Sequence, residues 1–165
     1  MRRQLADWEP DHMRDLGAVL GGLARSQARA GRDGDAAVSQ TECVSILRAM
    51  VVAGARNLRP WLAEELEVLS YSMGYAERWT EVVAPLREAL DIRRELAEED
   101  PDANLLGLAD LLVTLARALL ADRRHEQAQD VVHEAIEMLA PLGERDPDRY
   151  ADALDRALEL REHLR

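Results

Sequence analysis

The chain has 165 residues, a net charge of −11, 47% hydrophobic and 32% charged side chains. That allows one domain, or a short stack of repeated units, with a sizeable core, and it excludes general disorder. It also argues against nucleic acid or an anionic membrane as the main partner. All 21 basic residues are arginine; lysine and phenylalanine are absent. A Walker-A phosphate loop, a pyridoxal Schiff base, a kinase and a Ser-x-x-Lys hydrolase each need a lysine, so none is possible.

No apolar run approaches the roughly 20 residues that cross a bilayer, and the opening MRRQLADWEP lacks a signal peptide's apolar segment. One cysteine, Cys43, excludes an internal disulfide framework and suits a reducing cytoplasm, the expected location. Arginine in place of lysine, with abundant Ala and Leu, points to a GC-rich bacterial genome.

Alternating β-branched runs are missing, and Ala, Leu, Glu and Arg dominate, so the chain reads as all-α. In chain order, breaks at Gly31–Gly34, Asn57–Pro60, Gly74–Ala76, Pro101, Arg123–Arg124 and Pro147 separate seven helices. These span approximately 11–30, 34–53, 58–75, 78–99, 102–121, 125–142 and 147–164. Pro85 lies inside the fourth and predicts a kink or a late helix start.

Shifting the sequence by 46 residues aligns it with itself without a gap. Leu16 falls on Leu62, Leu108 and Leu154, and Leu20 on Leu66, Leu112 and Leu158. Leu23, Leu69 and Leu115 form a column, followed by Ala24, Ser70 and Ala116. In the second helix of each unit Ala36, Val82 and Ala128 coincide, then Cys43, Ala89 and Ala135. DPD at 100–102 recurs at 146–148, with EPD at 9–11 one residue out of register. Within a helix the columns lie three, four and seven residues apart, forming one apolar stripe that alternates large with small residues. A lone hairpin could not bury both its seam and the face turned to its neighbour, so stacking is required. The last helix covers the open end with Arg156, Glu159, Arg161 and Glu162 outermost; Leu160 and Leu164 are expected to be exposed.

The gaps between Leu20, Leu23, Ala24, Ala36, Cys43 and Val44, repeated in the next two units, resemble the tetratricopeptide repeat. The likeness covers residues 16–165. It departs at the first-helix aromatic, which is leucine here, and at the tyrosine position, held by Gln27, Met73 and Leu119. The period also exceeds the family's usual length of about 34. It implies an α-solenoid of three antiparallel helix pairs plus a C-terminal capping helix, within one domain over 1–165. The units run approximately 11–56, 57–101 and 102–146, with the cap at 147–165.

The resemblance further implies a non-catalytic protein–protein interaction module, an adaptor or regulatory partner. The first helix of each pair would line a concave groove for a peptide or protein of unknown identity. The groove candidates are Arg25 and Arg29; Glu64, Glu67, Tyr71 and Tyr75; Asp110, Thr114 and Arg117; and Arg156, with His163 beside it. Tyrosine and arginine are the types that anchor interfaces. The family's lysine–asparagine clamp on a terminal carboxylate is not supported, because lysine is absent and no asparagine occupies these positions. A self-associating or small-ligand-sensing repeat, hence a homo-oligomer, is the alternative; a helical metalloenzyme is another.

Chemistry-bearing motifs weigh little beside this. In HEQAQDVVHEAIE, His125 and His133 lie about two helical turns apart, roughly 12 Å of rise, too far for one metal ion. Asp130 and His133 have carboxylate–histidine spacing but need ligands from neighbouring helices, whose inward columns hold apolar or small residues. GGLARSQARAG follows a helical pattern rather than a strand, so it is no phosphate cradle. RDGD at 32–35 lacks a calcium loop's later ligands and reads as a turn and helix cap. Cys43 sits in a small-residue column as inert packing. ELAEEDPD reads as a solvated helix end, and Trp61 and Trp79 as wedges between helices. No cofactor, metal or catalytic residue is expected.

Overall fold

The computed structural model describes residues 10–76 and 78–164. The opening segment, with Glu9 of EPD, falls outside them. The described residues form seven α-helices and contain no strand: α1 (Pro10–Arg29), α2 (Asp33–Val52), α3 (Arg59–Tyr75), α4 (Trp79–Glu99), α5 (Pro101–Ala121), α6 (His125–Arg145) and α7 (Pro147–His163). A single 3-10 turn, Arg56–Leu58, leads into α3. The architecture is an all-α helical repeat.

Proline sets several helix starts. Pro60, Pro101 and Pro147 occupy the first turns of α3, α5 and α7, where the missing N–H has no intrahelical partner to lose. Before α5, the Asp100 side chain accepts a hydrogen bond from the Ala103 N–H at 3.2 Å. Before α2, Arg32 makes no side-chain cap, so RDGD opens the helix without the expected capping bond.

The 46-residue period is visible in the backbone itself. After the first helix of each unit, the N–H of Arg32, Arg78 and Arg124 donates back to the carbonyl of Gln27, Met73 and Leu119, at 2.9, 2.9 and 2.8 Å. This six-to-one bond closes a helix in a Schellman turn, which calls for a left-handed residue just before the donor. Gly31 supplies it at φ 70°; Arg123, 92 residues on, supplies it at φ 60°.

The chain divides into two compact units, 1–78 and 79–165. The boundary falls between α3 and α4, inside the second expected repeat, 57–101. In the first unit α2 packs against both α1 and α3. Its interior holds Leu47 and Leu66 with the small residues Ala24, Ala36, Ala37 and Ala63. In the second unit α5 packs against α4, α6 and α7, and α6 also packs on α7. Leu112, Leu115, Leu119 and Leu139 fill that core against Ala89, Ala116, Ala128 and Ala135. Large beside small is the pairing that lets helix axes approach closely.

Several expectations need correction. The helix α4 begins at Trp79 and runs through Pro85, so Pro85 does not delay its start. Leu160 and Leu164 are buried rather than exposed. Conversely Leu23, in a core column, is exposed, while Leu20 is half-buried. By length and composition α5 is also apolar enough to cross a membrane, with a mean hydropathy of 1.6 over its best window, half of it buried. It is the helix that three others cover in its unit.

Candidate interaction surfaces

The first unit contains a polar centre between α1, α2 and α3. Glu65, on α3, is only 4% exposed. Its carboxylate accepts from the Trp61 indole N–H at 2.8 Å and from the Arg25 guanidinium at 3.1 Å. The Gln40 amide donates to the same carboxylate and also to the Glu65 backbone carbonyl, the latter at 3.0 Å. Three donors around one buried carboxylate supply the pairing that a charge needs away from water.

Two glycines of α1 make room for this centre. A Cβ on Gly21 would lie 3.2 Å from Glu65 Oε1 and 3.4 Å from Arg25 Nη1; one on Gly17 would lie 3.6 Å from the Trp61 ring. Gly21 of GGLARSQARAG and Gly17 therefore serve close helix approach. Trp61 lies against α1 as the wedge that was expected, whereas Trp79 is 43% exposed.

Cys43 borders the centre and donates to the Gly17 carbonyl at 3.2 Å. Burial, then the Glu65 charge, pushes its thiol up to about 12, against smaller opposing effects from Arg25 and the Gly21 backbone. A protonated, buried thiol is a poor nucleophile.

The candidate residues separate by unit. On α1, Arg29 is exposed, but the Arg25 guanidinium is held by Glu65. On α3, Glu64 is exposed and Glu67 half-buried, while Tyr71 and Tyr75 are 52% and 75% exposed. Positions 64, 67, 71 and 75 follow helical spacing, so they form one stripe along α3.

In the second unit, Asp110 on α5 and Arg156 on α7 pair at 2.6 Å, 46 residues apart, which is the repeat period. The half-buried Thr114 hydroxyl donates to the Asp110 carbonyl of its own helix at 2.9 Å. Arg117 is exposed and borders a shallow depression of about 240 Å³ with Leu120, Glu159, Leu160 and His163. On the α4–α6 side, Arg87 donates to Gln127 at 2.9 Å and Arg94 to Glu134 at 2.5 Å.

His125 and His133 are both exposed; His133 meets Glu137 of its own helix at 3.2 Å. Among the described residues no group of three or more His, Cys, Asp or Glu side chains converges on a common point.

Sequence reasoning placed Arg25 in the groove and passed over its partner Glu65, to which Gln40 and Trp61 also donate. It also held the inward positions to be apolar or small, which Glu65 and Gln40 overturn. A signal existed: at a 46-residue shift Glu65 aligns with Val19 and Leu111, a column of otherwise apolar side chains. No family model matches this chain. No curated protein sequence matches it either.

Proposed function

We infer that this chain is a tetratricopeptide-like, non-catalytic interaction module that binds a peptide segment or a protein surface through its first-of-pair helices. The observation that carries this reading is the placement of tyrosine. The chain has three tyrosines. Tyr150 is buried, while Tyr71 and Tyr75 stand in water one turn apart on α3. Exposed rings of this size are costly to leave wet and effective as anchors, because they offer large contact area with few rotatable bonds. Glu64 on the same stripe and Arg29 on α1 add open charges of both signs. In the second unit, Arg117 offers a planar cation beside the apolar side chains of Leu120 and Leu160.

Two features support a binding rather than a catalytic role. The buried carboxylate and thiol are enclosed by neighbouring side chains, and His125 and His133 stand exposed on the surface of their helix. The period shared by Schellman bonds, buried columns and the Asp110–Arg156 pair supports the repeat-family likeness.

The test is isolation of partners from the source cell with the unaltered chain and with Tyr71→Ala and Tyr75→Ala, each checked by thermal melting. Each substitution should weaken capture by about 1–3 kcal/mol, the range of an interface anchor, with the melt unchanged. Undiminished capture by both variants would move the binding surface off α3.

A further inference from the structure

Helix α1 carries an apolar stripe that the described residues cover only in part. Leu16, Val19, Leu20 and Leu23 follow helical spacing; Val19 is 66% and Leu23 44% exposed, and the other two are half-buried. The equivalent positions on α3 and α5, 46 and 92 residues on, are buried without exception, Leu69 and Leu115 among them. The stripe is therefore built like the packing faces of the later helices, yet Val19 and Leu23 face water.

We propose that a second copy of this chain covers it, with α1 lying antiparallel on its counterpart across a two-fold axis beside Leu20. A two-fold contact requires a patch that matches itself when reversed. Positions 16, 19, 20 and 23 do so: reversal brings Leu16 against Leu23 of the second copy and Val19 against its Leu20. Charge follows the same symmetry. Asp11 and Asp15 stand at the start of α1 and Arg29 at its end. The same reversal, between Val19 and Leu20, sets Asp11 within one residue, about 1.5 Å of rise, of the level of Arg29 of the second copy. Neither residue has an ion-pair partner among the described residues, so both are open to that contact.

The helix is also the place where an acidic chain can best meet itself. Although the whole chain carries −11, α1 holds Arg14, Arg25 and Arg29 against Asp11 and Asp15. Gly22, on the same side as Asp15, has open space where a Cβ would stand, which favours close approach of a neighbouring helix.

Sedimentation of the full chain from about 1 to 300 µM, near 0.15 M salt, tests this. A reversible dimer is expected. The double variant Val19→Glu/Leu23→Glu should weaken it at least roughly thirtyfold, since it charges the centre of the contact. Asp11→Arg and Arg29→Asp should each weaken it about threefold, and the two combined should return to within about twofold of the unaltered chain. Melting curves show that each variant folds. A monomer at every concentration overturns the proposal and hands the stripe to a different protein or to residues 1–9. A dimer that survives Val19→Glu/Leu23→Glu overturns it too, because another surface must hold it. Neither result bears on the tyrosine stripe of α3, which these substitutions leave untouched.

Discussion

Glu65 shows how one residue can change the meaning of a repeated position. In α1 and α5 its column holds Val19 and Leu111; in α3 it holds a carboxylate with three donors around it. Removing the carboxylate would leave the Trp61 N–H without its acceptor and the Gln40 amide with the Glu65 backbone carbonyl alone, with Arg25 released to solvent. Glu65→Ala should therefore destabilise the fold by about 2–3 kcal/mol, as measured by urea unfolding, because it opens a cavity and leaves buried donors short of an acceptor. Glu65→Gln keeps an acceptor for two of the donors and should cost less. Equal losses for the two variants would show that shape, rather than hydrogen bonding, holds the centre together. The centre was hard to read in advance because Arg25 and Glu65 each look like surface residues when taken singly. Their pairing spans 40 residues and depends on Gly21 leaving room, a relation that helical periodicity does not express.

At the scale of the element, the helices were the most legible feature. Proline and glycine breaks are local signals, and all seven helix ends fall within three residues of where those signals place them, six of them within one. The α6 end is the one that extends furthest: it runs to Arg145, past Pro141. What the breaks did not reveal is the conformation of the turn. Arg123 occupies a left-handed backbone, φ 60°, at the position where the first unit has Gly31. A side chain there crowds the following carbonyl, at a cost of about 1–2 kcal/mol, while glycine loses more chain entropy on folding. The strain outweighs the entropy at this position, so Arg123→Gly should stabilise the protein by about 0.5–1 kcal/mol. The reciprocal change, Gly31→Arg, should destabilise it. Thermal melting of the two variants reads both signs, and a loss of stability in Arg123→Gly would mean that the arginine side chain has a role which outweighs its strained backbone.

For the whole molecule, net charge decides how two copies meet. Two bodies of −11 held about 30 Å apart in water repel by roughly 17 kcal/mol without salt, by about 6 at 0.01 M and by about 1 at 0.1 M, as the screening length falls from about 30 to about 10 Å. The exposed Asp11–Arg29 pairs of the proposed contact contribute about 1 kcal/mol each at most, and salt weakens those. Long-range repulsion is the larger quantity at low salt, so its screening wins. Raising salt from about 0.01 to 0.1 M should tighten dimerisation at least roughly tenfold, and further salt should change it little, because the repulsion is by then nearly gone while burial of Val19 and Leu23 is insensitive to screening. The Val19→Glu/Leu23→Glu variant should stay monomeric across the same range. Sedimentation at several salt concentrations separates the two effects. A dimer that loosens steadily as salt rises would mean that ion pairs rather than the apolar stripe hold it, and would place the contact on a more charged face than α1 presents.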